Sequence, residues 1–415
     1  MLNLEAPVIR EADVAVVGAG PAGTAAAVAA AREGKRVVLL ERSGQLGGSG
    51  TLSGVGIFMI VGNYTGFYRE VVRAIRPDFE SSCEDPARFK VLFNPQLLRL
   101  ALDRFAEQAG VDVLLHADFV GIAQHAADTA PETMSTLFVN TVEGLRAVRA
   151  RVVVDATGDG RVSVAAGAHY TSGRPEDGGV QPMSMMFEMQ DTGHPVRPVL
   201  PEGCELYATV EDLPQGRTLH WEEKENGTLL VNMTRIRGNG SRIDDLNRAE
   251  RDGLRQVFSV AHYLQTHGYG TYVLSSIGSQ VGVRESNQVV GLYTLSEDDL
   301  LEGRRFDDVV AQSNYNIDIH NPTGVGTTEE RPIQMYDIPY RCLIPAGVGG
   351  VIVAGRALSA THVAVSSARV MPTCFAMGQA AGIAAAISLE RTCSLANVPA
   401  DELHERMRAQ GVELS

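Results

Sequence analysis

The segment ADVAVVGAGPAGTAAAVAAAREGKRVVLLER, residues 12–42, decides the fold. Residues 13–17 form a short, mostly apolar run that suits a buried strand, and residues 37–40 form a second run after an alanine-rich helical stretch. Glu41 closes the second run about 20 residues after the glycines, where a carboxylate can accept hydrogen bonds from both ribose hydroxyls of a dinucleotide. The strand–helix–strand order predicts a Rossmann-like α/β unit.

The glycines of this segment suit a phosphate-containing ligand. Gly18 and Gly20 permit a tight turn and let a ligand approach the backbone closely. Pro21 is the first helical residue, where its missing N–H costs nothing, and it is followed by Ala22. Gly23 lets the helix lie close to the sheet. The free N–H groups and positive dipole end of the helix predict a pyrophosphate site, for NAD or FAD; a structural glycine turn is the alternative.

The size and charge of the chain limit its class and its partners. With 415 residues it is longer than one compact core usually holds, so we expect two domains. The formal net charge of −14 disfavours a nucleic-acid partner or an anionic membrane surface, because both bind through Lys and Arg. No run of about 18 apolar residues occurs, and residues 1–10 have no signal-peptide pattern, so we expect no membrane partner.

Cysteine usage indicates the compartment. The five cysteines are widely spaced and form no Cys-x-x-Cys pair, which disfavours a redox dithiol and a zinc ribbon. We expect a cytoplasmic protein with a small-molecule substrate and no metal. The sequence leaves open whether the chain forms a homo-oligomer.

Further glycine-containing segments extend the candidate site. The six glycines of residues 43–56 follow the ribose position directly and favour an ordered loop along the cofactor; a flexible linker is the alternative. A strand over residues 147–154 runs into Asp155–Gly160, where small residues again allow close approach of a ligand. Val120 follows a turn and could bring backbone groups to an adenine. No second Gly-x-Gly-x-x-Gly follows a strand, which disfavours a pyridine-nucleotide disulfide reductase.

The end of the chain returns to the opening pattern. Residues 349–356 read as a buried strand that ends in glycine, and Pro372 opens a long alanine-rich helix, so both should join the N-terminal sheet. The segment 170–339 carries more charge and fewer clean βαβ signals, and a capping box of Ser241 and Asp244 predicts a helix within it. We interpret this segment as an inserted second domain.

Eight segments carry a resemblance to a known family. They are Gly18–Gly23, Gly47–Thr51, Asp155–Gly160, Gly282–Glu285, Asp318–His320, Pro339–Pro345, Ala354–Arg356 and Arg369–Gly382. The chain resembles the FAD-dependent oxidoreductases of the glutathione-reductase-type fold. More narrowly, it resembles the FAD dependent oxidoreductase family (FAD_oxidored), which is distantly related to fumarate-reductase flavoproteins, from about residue 13 to residue 388.

The resemblance implies an α/β fold: a Rossmann-like FAD-binding domain of glutathione-reductase type with an inserted α+β substrate domain. The FAD-binding domain would comprise residues 1–169 and 340–398, the substrate domain residues 170–339, and a C-terminal tail helix residues 399–415. FAD would be non-covalent, since we identify no His or Cys for a covalent link between Gly47 and Gly56.

The resemblance also implies where FAD lies. Glu41 would hold the ribose, the glycine turn the pyrophosphate, and the helix that opens near Pro372 would direct its positive end at the flavin N1–C2=O edge. The candidate cofactor-binding residues are Gly18, Gly20, Pro21, Ala22, Gly23, Glu41, Arg42, Gly47, Gly48, Thr51, Val120, Ala156, Thr157, Gly158, Asp159, Gly355, Arg356, Pro372 and Thr373.

Two candidate catalytic residues stand in polar or glycine-rich surroundings. His320 lies in a polar segment, where an imidazole could exchange a proton while the flavin takes a hydride; a surface histidine is the alternative. Arg284 follows a glycine-rich segment and could clamp a substrate carboxylate or carbonyl. The alternative for Arg284 is an internal ion pair with Glu285 or another acid.

Three more candidates follow from their neighbours. His362 closely follows the turn at residues 355–356, which would place it near the flavin; a capping or packing role is the alternative. Arg341 could bind substrate or form an internal ion pair. Tyr340 could orient a substrate carbonyl, although a buried tyrosine with one hydrogen bond is the more common case.

These residues lead to a first hypothesis and two alternatives. The first is an FAD-dependent oxidoreductase that transfers a hydride between a small organic substrate and flavin N5, as a dehydrogenation or an alkene reduction. The second is a flavin-dependent isomerase, hydratase or monooxygenase. The third is a non-catalytic flavin-binding partner protein. The sequence leaves the substrate, the reaction direction and the electron acceptor open.

Overall fold

The computed structural model describes residues 6–123, 134–215, 226–323 and 328–414, and the backbone of residues 221–223. The polar segment 124–133, for which the sequence predicts a loop, lies outside the described residues. Among the described residues the strands are β1 (Val8–Val17), β2 (Val37–Glu41), β3 (Ile57–Phe58), β4 (Val91–Leu92), β5 (Asp112–Leu115), β6 (Asp118–Ala123), β7 (Ser135–Thr141), β8 (Gly144–Asp155), β9 (Tyr170–Ser172), β10 (Phe187–Asp191), β11 (Trp221–Glu223), β12 (Thr228–Val231), β13 (Tyr272–Ile277), β14 (Asn287–Val289), β15 (Val309–Ser313), β16 (Ile317–Ile319), β17 (Glu329–Arg331), β18 (Tyr336–Pro339) and β19 (Val351–Val353). The helices are α1 (Pro21–Arg32), α2 (Gly66–Ile75), α3 (Phe79–Ser82), α4 (Pro95–Gln108), α5 (Arg161–Ala165), α6 (Ile243–Thr266), α7 (Glu297–Leu301), α8 (His362–Ala368), α9 (Met371–Arg391) and α10 (Ala400–Ala409).

The main sheet is built around the strands of residues 12–42. Its strand order is β5-β2-β1-β8-β7-β6, and β19 pairs with the carboxyl-terminal end of β8. The pairs β1–β2, β1–β8, β2–β5 and β8–β19 are parallel, whereas β7 pairs antiparallel with both β6 and β8. The last strand therefore returns to the N-terminal sheet, as predicted. The chain has a mixed α/β fold with a sheet of mainly parallel strands.

Burial explains why the two opening strands could be recognised. All residues of β2 are buried, as expected for a parallel strand that is covered on both faces. In β1, Val14 and Val16 enter the apolar core that contains α1 and α9, whereas Ala15 and Val17 enter a second core on the opposite face. Both faces need apolar side chains, so each strand reads as a continuous apolar run.

Helices α1 and α9 cross closely because small residues line the crossing. A Cβ on Gly378 would lie 2.0 Å from the carbonyl oxygen of Ala22, and a Cβ on Gly382 would lie 2.2 Å from that of Ala26. By length and composition α9 could cross a membrane, but 94% of its apolar window is buried inside the protein. The crossing holds the amino-terminal end of α9 beside that of α1.

Replacement of Gly382 by alanine should lower the free energy of unfolding by roughly 1–3 kcal/mol, because the added Cβ forces the two helices apart. Urea denaturation measures this change. If only stability is affected, the dependence of the free energy of unfolding on urea concentration keeps the same slope. Gly121→Ala is the matched control, since a Cβ there has no neighbour within 4 Å among the described residues. Equal stability of the two variants would contradict the close crossing.

A separate apolar core lies in the predicted substrate domain. It is formed by side chains between Met183 and Val283, where an antiparallel sheet of β11, β12, β10 and β13 packs with α6. By contrast, apolar side chains between Leu295 and Ile344 are buried in the core of α1 and α9. The separate core is therefore smaller than the segment 170–339, and the domain boundaries at residues 169 and 339 remain predictions.

Candidate active site

The glycine turn after β1 forms a cradle that excludes larger side chains. Gly18 has a φ of 95°, and a Cβ there would lie 2.5 Å from the carbonyl oxygen of Ala156. A Cβ on Gly23 would lie 1.7 Å from the carbonyl oxygen of Gly18. By contrast, the nearest neighbour to a Cβ on Gly20, the N-cap residue of α1, is 4.0 Å away. The first turn of α1 leaves N–H groups without helical partners beside this turn, which is the arrangement that binds a pyrophosphate.

Glu41 ends β2 beside this cradle. Its Oε2 accepts the N–H of Ala19 at 2.8 Å and its Oε1 accepts that of Ser43 at 2.8 Å, and the residue is only 6% exposed. Each carboxylate oxygen has a further lone pair, so Glu41 can also accept hydrogen bonds from ribose hydroxyls. The neighbouring Arg42 is exposed.

The loop after β2 is fastened to the cradle. The N–H of Gly47 donates to the carbonyl oxygen of Ala19 at 2.7 Å, and a 3-10 turn covers Gly48–Gly50. The hydroxyl of Thr51 donates to the carbonyl oxygen of Leu46 at 2.8 Å. These bonds favour the ordered loop over the flexible linker.

The loop after β8 forms the opposite wall. Asp155 is fully buried, and its carboxylate accepts hydrogen bonds from the loop and from α5. Asp159 Oδ1 accepts a hydrogen bond from Arg356 Nη2 at 2.6 Å and one from the Ser286 hydroxyl at 2.7 Å. A Cβ on Gly158 would lie 3.0 Å from the guanidinium of Arg356. These contacts join three distant segments of the chain at one place.

Two buried polar atoms at the glycine cradle lack a hydrogen-bond partner in the described part of the chain, which bears on whether a dinucleotide binds there. Arg356 Nε and Thr373 Oγ1 are buried and have no hydrogen-bond partner among the described residues. Thr373 and Pro372 lie in the first turn of α9, and a Cβ on Gly355 would lie 3.2 Å from that of Ala22 in α1. A buried polar atom without a partner costs free energy, so these donors fit a bound ligand rich in oxygen and nitrogen.

The structure brings most of the predicted cofactor residues to this cradle. Arg42, which is exposed, and Val120 are the two exceptions. Val120 is the bulged residue of β6, because the register with β7 shifts between Phe119 and Gly121. Its side chain is 58% exposed, and a bulge leaves backbone groups outside the strand ladder. Contact of Val120 with an adenine remains a prediction. The residues around the cradle are Gly18, Gly20, Pro21, Ala22, Gly23, Glu41, Gly47, Gly48, Thr51, Ala156, Thr157, Gly158, Asp159, Gly355, Arg356, Pro372 and Thr373.

Next to the cradle, two arginines share the same hydrogen-bond acceptors. Arg235 Nη1 and Arg284 Nη1 donate to the Ser184 hydroxyl at 3.0 and 2.7 Å. Both guanidinium groups also donate to Asn232 Oδ1, at 3.0 and 3.1 Å. Burial lowers the pKa of Arg235 to about 10. The pKa of Arg284 is also lowered, first by burial and then by the charges of Arg235 and Arg369.

His320 follows β16 and pairs with a carboxylate. Its Nε2 lies 3.6 Å from Asp318 Oδ1, and its Nδ1 lies 3.1 Å from the Thr328 hydroxyl. Burial and the charge of Arg284 hold the pKa of His320 well below its usual value, so the imidazole is neutral. Burial opposes ionisation of Asp318, but the neighbouring His320 and Arg369 outweigh it and hold the pKa of this carboxyl low.

His362 is the first residue of α8 and forms the second imidazole–carboxylate pair. Its Nδ1 lies 2.7 Å from Glu285 Oε1, and both side chains are buried. The other oxygen of Glu285 accepts the N–H of Gln181 at 2.9 Å. The side-chain oxygen of Gln181 accepts hydrogen bonds from His320 N and Arg369 Nη2, each at 3.2 Å. Gln181 therefore joins the two pairs into one polar cluster.

Two predicted candidates, Arg341 and Tyr340, do not join this cluster, and their contacts favour the alternatives to a catalytic role. Arg341 pairs with Asp308 at 2.9 Å and lies over the ring of Tyr293. Tyr340 is buried, and its hydroxyl donates to the carbonyl oxygen of Leu395 at 2.8 Å. The guanidinium of Arg341 and the hydroxyl of Tyr340 already have these partners. Arg341 therefore forms an internal ion pair, and Tyr340 is a buried tyrosine with one hydrogen bond.

The sequence analysis missed two features of the cluster. It gave no role to Arg235 or to Arg369, although Arg369 begins one of the quoted segments. The alternative for Arg284, an ion pair with Glu285 or another acid, does not hold for Glu285, which pairs with His362. Pairing of side chains from separate segments has no local sequence signal.

The neutral state of His320 predicts acid sensitivity of the fold. As the pH falls through about 6.5, the unfolded chain binds a proton at His320 that the folded protein does not bind. The free energy of unfolding should therefore fall towards acid pH, by at most about 1.4 kcal/mol per pH unit from this residue. Urea denaturation between about pH 7 and pH 5.5 measures the slope, which His320→Gln should flatten. His194→Gln, at an exposed position, should leave the slope unchanged.

Two curated proteins match short stretches of this chain. Urocanate reductase of Eggerthella lenta is 61% identical over 44 residues, 11% of this chain and 7% of that protein. The soluble pyridine nucleotide transhydrogenase of Marinomonas sp. (strain MWYL1) is 57% identical over 42 residues, 10% of this chain and 9% of that protein. The matches thus span under a tenth of the length of either relative.

A solved structure and a family model cover far more of the chain. The structure of a geranylgeranyl bacteriochlorophyll reductase-like protein from Thermoplasma acidophilum covers 96% of this chain and 83% of its own, with 13% identity and a TM-score of 0.49. The family model described as FAD dependent oxidoreductase matches residues 13–407. The chain therefore belongs to the FAD dependent oxidoreductase family, and it is an FAD-dependent enzyme.

Proposed function

We propose that this enzyme transfers a hydride between a small organic substrate and N5 of FAD, and that His362 moves the accompanying proton. The observation that carries the proposal is the buried Glu285–His362 pair, with a separation of 2.7 Å, beside the FAD cradle. The proposal includes non-covalent FAD and a glutathione-reductase type of FAD-binding domain. The glycine turn after β1, Glu41 at the end of β2 and the returning strand β19 support both.

The chain itself connects the pair with the cradle. Glu285 precedes Ser286, whose hydroxyl donates to Asp159 at 2.7 Å. Asp159 also pairs with Arg356, which ends the turn that leads towards His362. A proton-transfer group at this position therefore lies close to the residues that hold FAD.

The Glu285–His362 pair has the geometry of an oriented base. Glu285 Oε1 fixes Nδ1, and Nε2 of His362 has no hydrogen-bond partner among the described residues. FAD, when bound, supplies a two-electron centre that accepts or donates a hydride. In a dehydrogenation, His362 Nε2 takes the proton that leaves the substrate together with the hydride; in the reverse reaction it returns that proton.

His320 is the other candidate for proton transfer, as the sequence analysis predicts. Its two ring nitrogens face Asp318 and Thr328, so neither is directed at a free space among the described residues. The lowered pKa of His320 keeps its imidazole unprotonated but makes it a weaker base, and the contacts also favour His362 for direct contact with substrate. Under this proposal His320 positions Asp318 and Gln181.

Anaerobic mixing of the FAD-loaded protein with candidate substrates tests the proposal. We expect loss of the visible flavin absorbance without oxygen, and slower loss when the reacting carbon carries deuterium. A product that forms only with oxygen would support a flavin monooxygenase instead. Turnover that never bleaches the flavin would support an isomerase or hydratase. Either result would overturn the hydride-transfer proposal.

A further inference from the structure

We propose that the substrate carries a carboxylate and that Arg284, supported by Arg235, binds it. This inference rests on the proposed function, because it assigns a substrate class to the same site. It is carried by three guanidinium groups that lie together beside the FAD cradle: Arg235 and Arg284 share hydrogen-bond acceptors, and Arg369 contacts Gln181 and Asp318.

The hydrogen bonds of the two arginines leave their charges without a partner. Arg284 donates to the carbonyl oxygen of Pro182 as well as to Ser184 and Asn232. Arg235 donates to the Thr234 carbonyl oxygen and other uncharged acceptors. Among the described residues, neither forms an ion pair with a carboxylate. Two guanidinium groups that share acceptors repel each other, and this cost persists until an anion binds.

The charges of the whole cluster do not cancel. Three guanidinium groups, those of Arg235, Arg284 and Arg369, face two carboxylates, those of Asp318 and Glu285. Glu285 is engaged by His362, and Asp318 lies against Arg369. At least one positive charge therefore remains. Unpaired buried charge is expensive, so proteins keep it where a ligand of opposite charge binds.

Free donors are available at the same place. Arg284 is partly exposed, so its guanidinium can be reached from solvent. Its Nε has no partner among the described residues. Gln181 Nε2 and Arg369 Nε are buried and likewise have none. A carboxylate has two oxygens that each accept more than one hydrogen bond, and it would satisfy such donors together.

The arginines lie where a bound carboxylate would hold a substrate against the cofactor. Arg284 is two positions before Ser286, which bonds the cradle residue Asp159. Arg369 directly precedes Val370, the N-cap residue of α9. The Ser53 hydroxyl, in the loop that follows the ribose position, donates to the carbonyl oxygen of Val281 at 3.3 Å. Both the cradle and the FAD loop therefore border this cluster.

Spectral titration of the FAD-loaded protein tests the inference. The probes are acetate, succinate and benzoate, each compared with its amide at constant ionic strength, with the visible spectrum of bound FAD as the readout. We expect at least one acid to bind at least about tenfold more tightly than its amide. Arg284→Gln should lower the affinity for that acid by roughly 10- to 100-fold and leave the affinity for the amide unchanged.

Two further variants sharpen this titration. Arg284→Lys keeps the charge, so it should retain more of the affinity than Arg284→Gln. Arg341→Gln removes an arginine that already pairs with Asp308, and it should bind the acid as the unaltered protein does. FAD content and the melting temperature of each variant show whether it has folded; if Arg284→Gln does not fold, the comparison of acid and amide on the unaltered protein still decides.

Four results would overturn the inference. They are acids and amides that bind equally, an acid whose affinity Arg284→Gln leaves unchanged, sulfate that binds as tightly as the best acid, and an Arg284→Gln variant that shifts only the flavin reduction potential. The last result would mean that the surplus positive charge sets the reduction potential of the flavin and does not bind a substrate. If a neutral substrate bleaches the bound FAD, the proposed hydride transfer stands and only the inference of a carboxylate substrate is overturned.

Discussion

Replacement of Gly20 by alanine should leave the protein folded and weaken FAD binding at least about tenfold. A Cβ at this position has no neighbour closer than 4.0 Å, so the apoprotein can accommodate it. The cost to folding should stay within about 1 kcal/mol, because alanine is a poorer N-cap residue than glycine. The same Cβ projects where a pyrophosphate would approach the N–H groups of α1, and loss of charge-assisted hydrogen bonds there costs roughly 1.5–3 kcal/mol.

Two measurements separate these effects for the Gly20 variant. Thermal or urea unfolding of the apoprotein reports the fold, and titration of the apoprotein with FAD reports the affinity. Gly121→Ala, where a Cβ has no neighbour within 4 Å among the described residues, should leave the stability of the apoprotein unchanged and lower the FAD affinity less than Gly20→Ala does. A Gly20→Ala protein that binds FAD as tightly as the unaltered protein would show that the pyrophosphate lies elsewhere.

Replacement of His362 by glutamine should lower turnover at least about 100-fold while FAD remains bound, because the glutamine side chain cannot accept a proton at neutral pH. The measurement uses the first substrate that bleaches the flavin anaerobically. Glu285→Gln should have a smaller effect in the same direction, since it leaves the imidazole present but removes the carboxylate that orients Nδ1.

Two other histidines serve as comparisons for this prediction. His194→Gln, at an exposed position, should have no effect on turnover. His320→Gln should alter turnover less than His362→Gln does, since His320 contacts Asp318 and Thr328 rather than an open space. If His320→Gln causes the larger loss, the role of proton transfer returns to His320, as the sequence analysis predicts.

The cofactor cradle could be predicted from the sequence because its main parts are contiguous. The turn that begins at Gly18, the helix that follows it and Glu41 all lie within residues 12–42, and each has a local signal of spacing or composition. The strands that form from these runs are buried on both faces, so their apolar character is continuous. The returning strand β19 was recognised on the same ground.

The polar cluster could be predicted only in part because it is assembled from distant segments. Ser184, Asn232 and Arg284 meet through strands and loops of the separate core, and Arg369 arrives from the segment before α9. The sequence marks Arg284 through its glycine-rich surroundings. Nothing local shows that Arg235 lies beside it, since that proximity is a property of tertiary packing.

The start of helix α6 also differs from the sequence-based prediction. The sequence predicts a capping box at Ser241 and Asp244, but the N-cap residue is Arg242 and it has no side-chain cap. The Ser241 hydroxyl instead donates to Asn239 Oδ1 at 2.7 Å. A serine can bond several nearby acceptors, and the local turn decides which of them it uses.

The absorption spectrum of the purified protein, recorded before and after denaturation and filtration, tests FAD binding most directly. We expect visible flavin bands that pass into the filtrate as FAD, because we propose that the residues around Gly18, Glu41 and Asp159 hold the cofactor without a covalent bond. Bands that stay with the protein would contradict non-covalent binding. A protein that takes up no flavin, even after incubation with FAD, would contradict the assignment of the cradle.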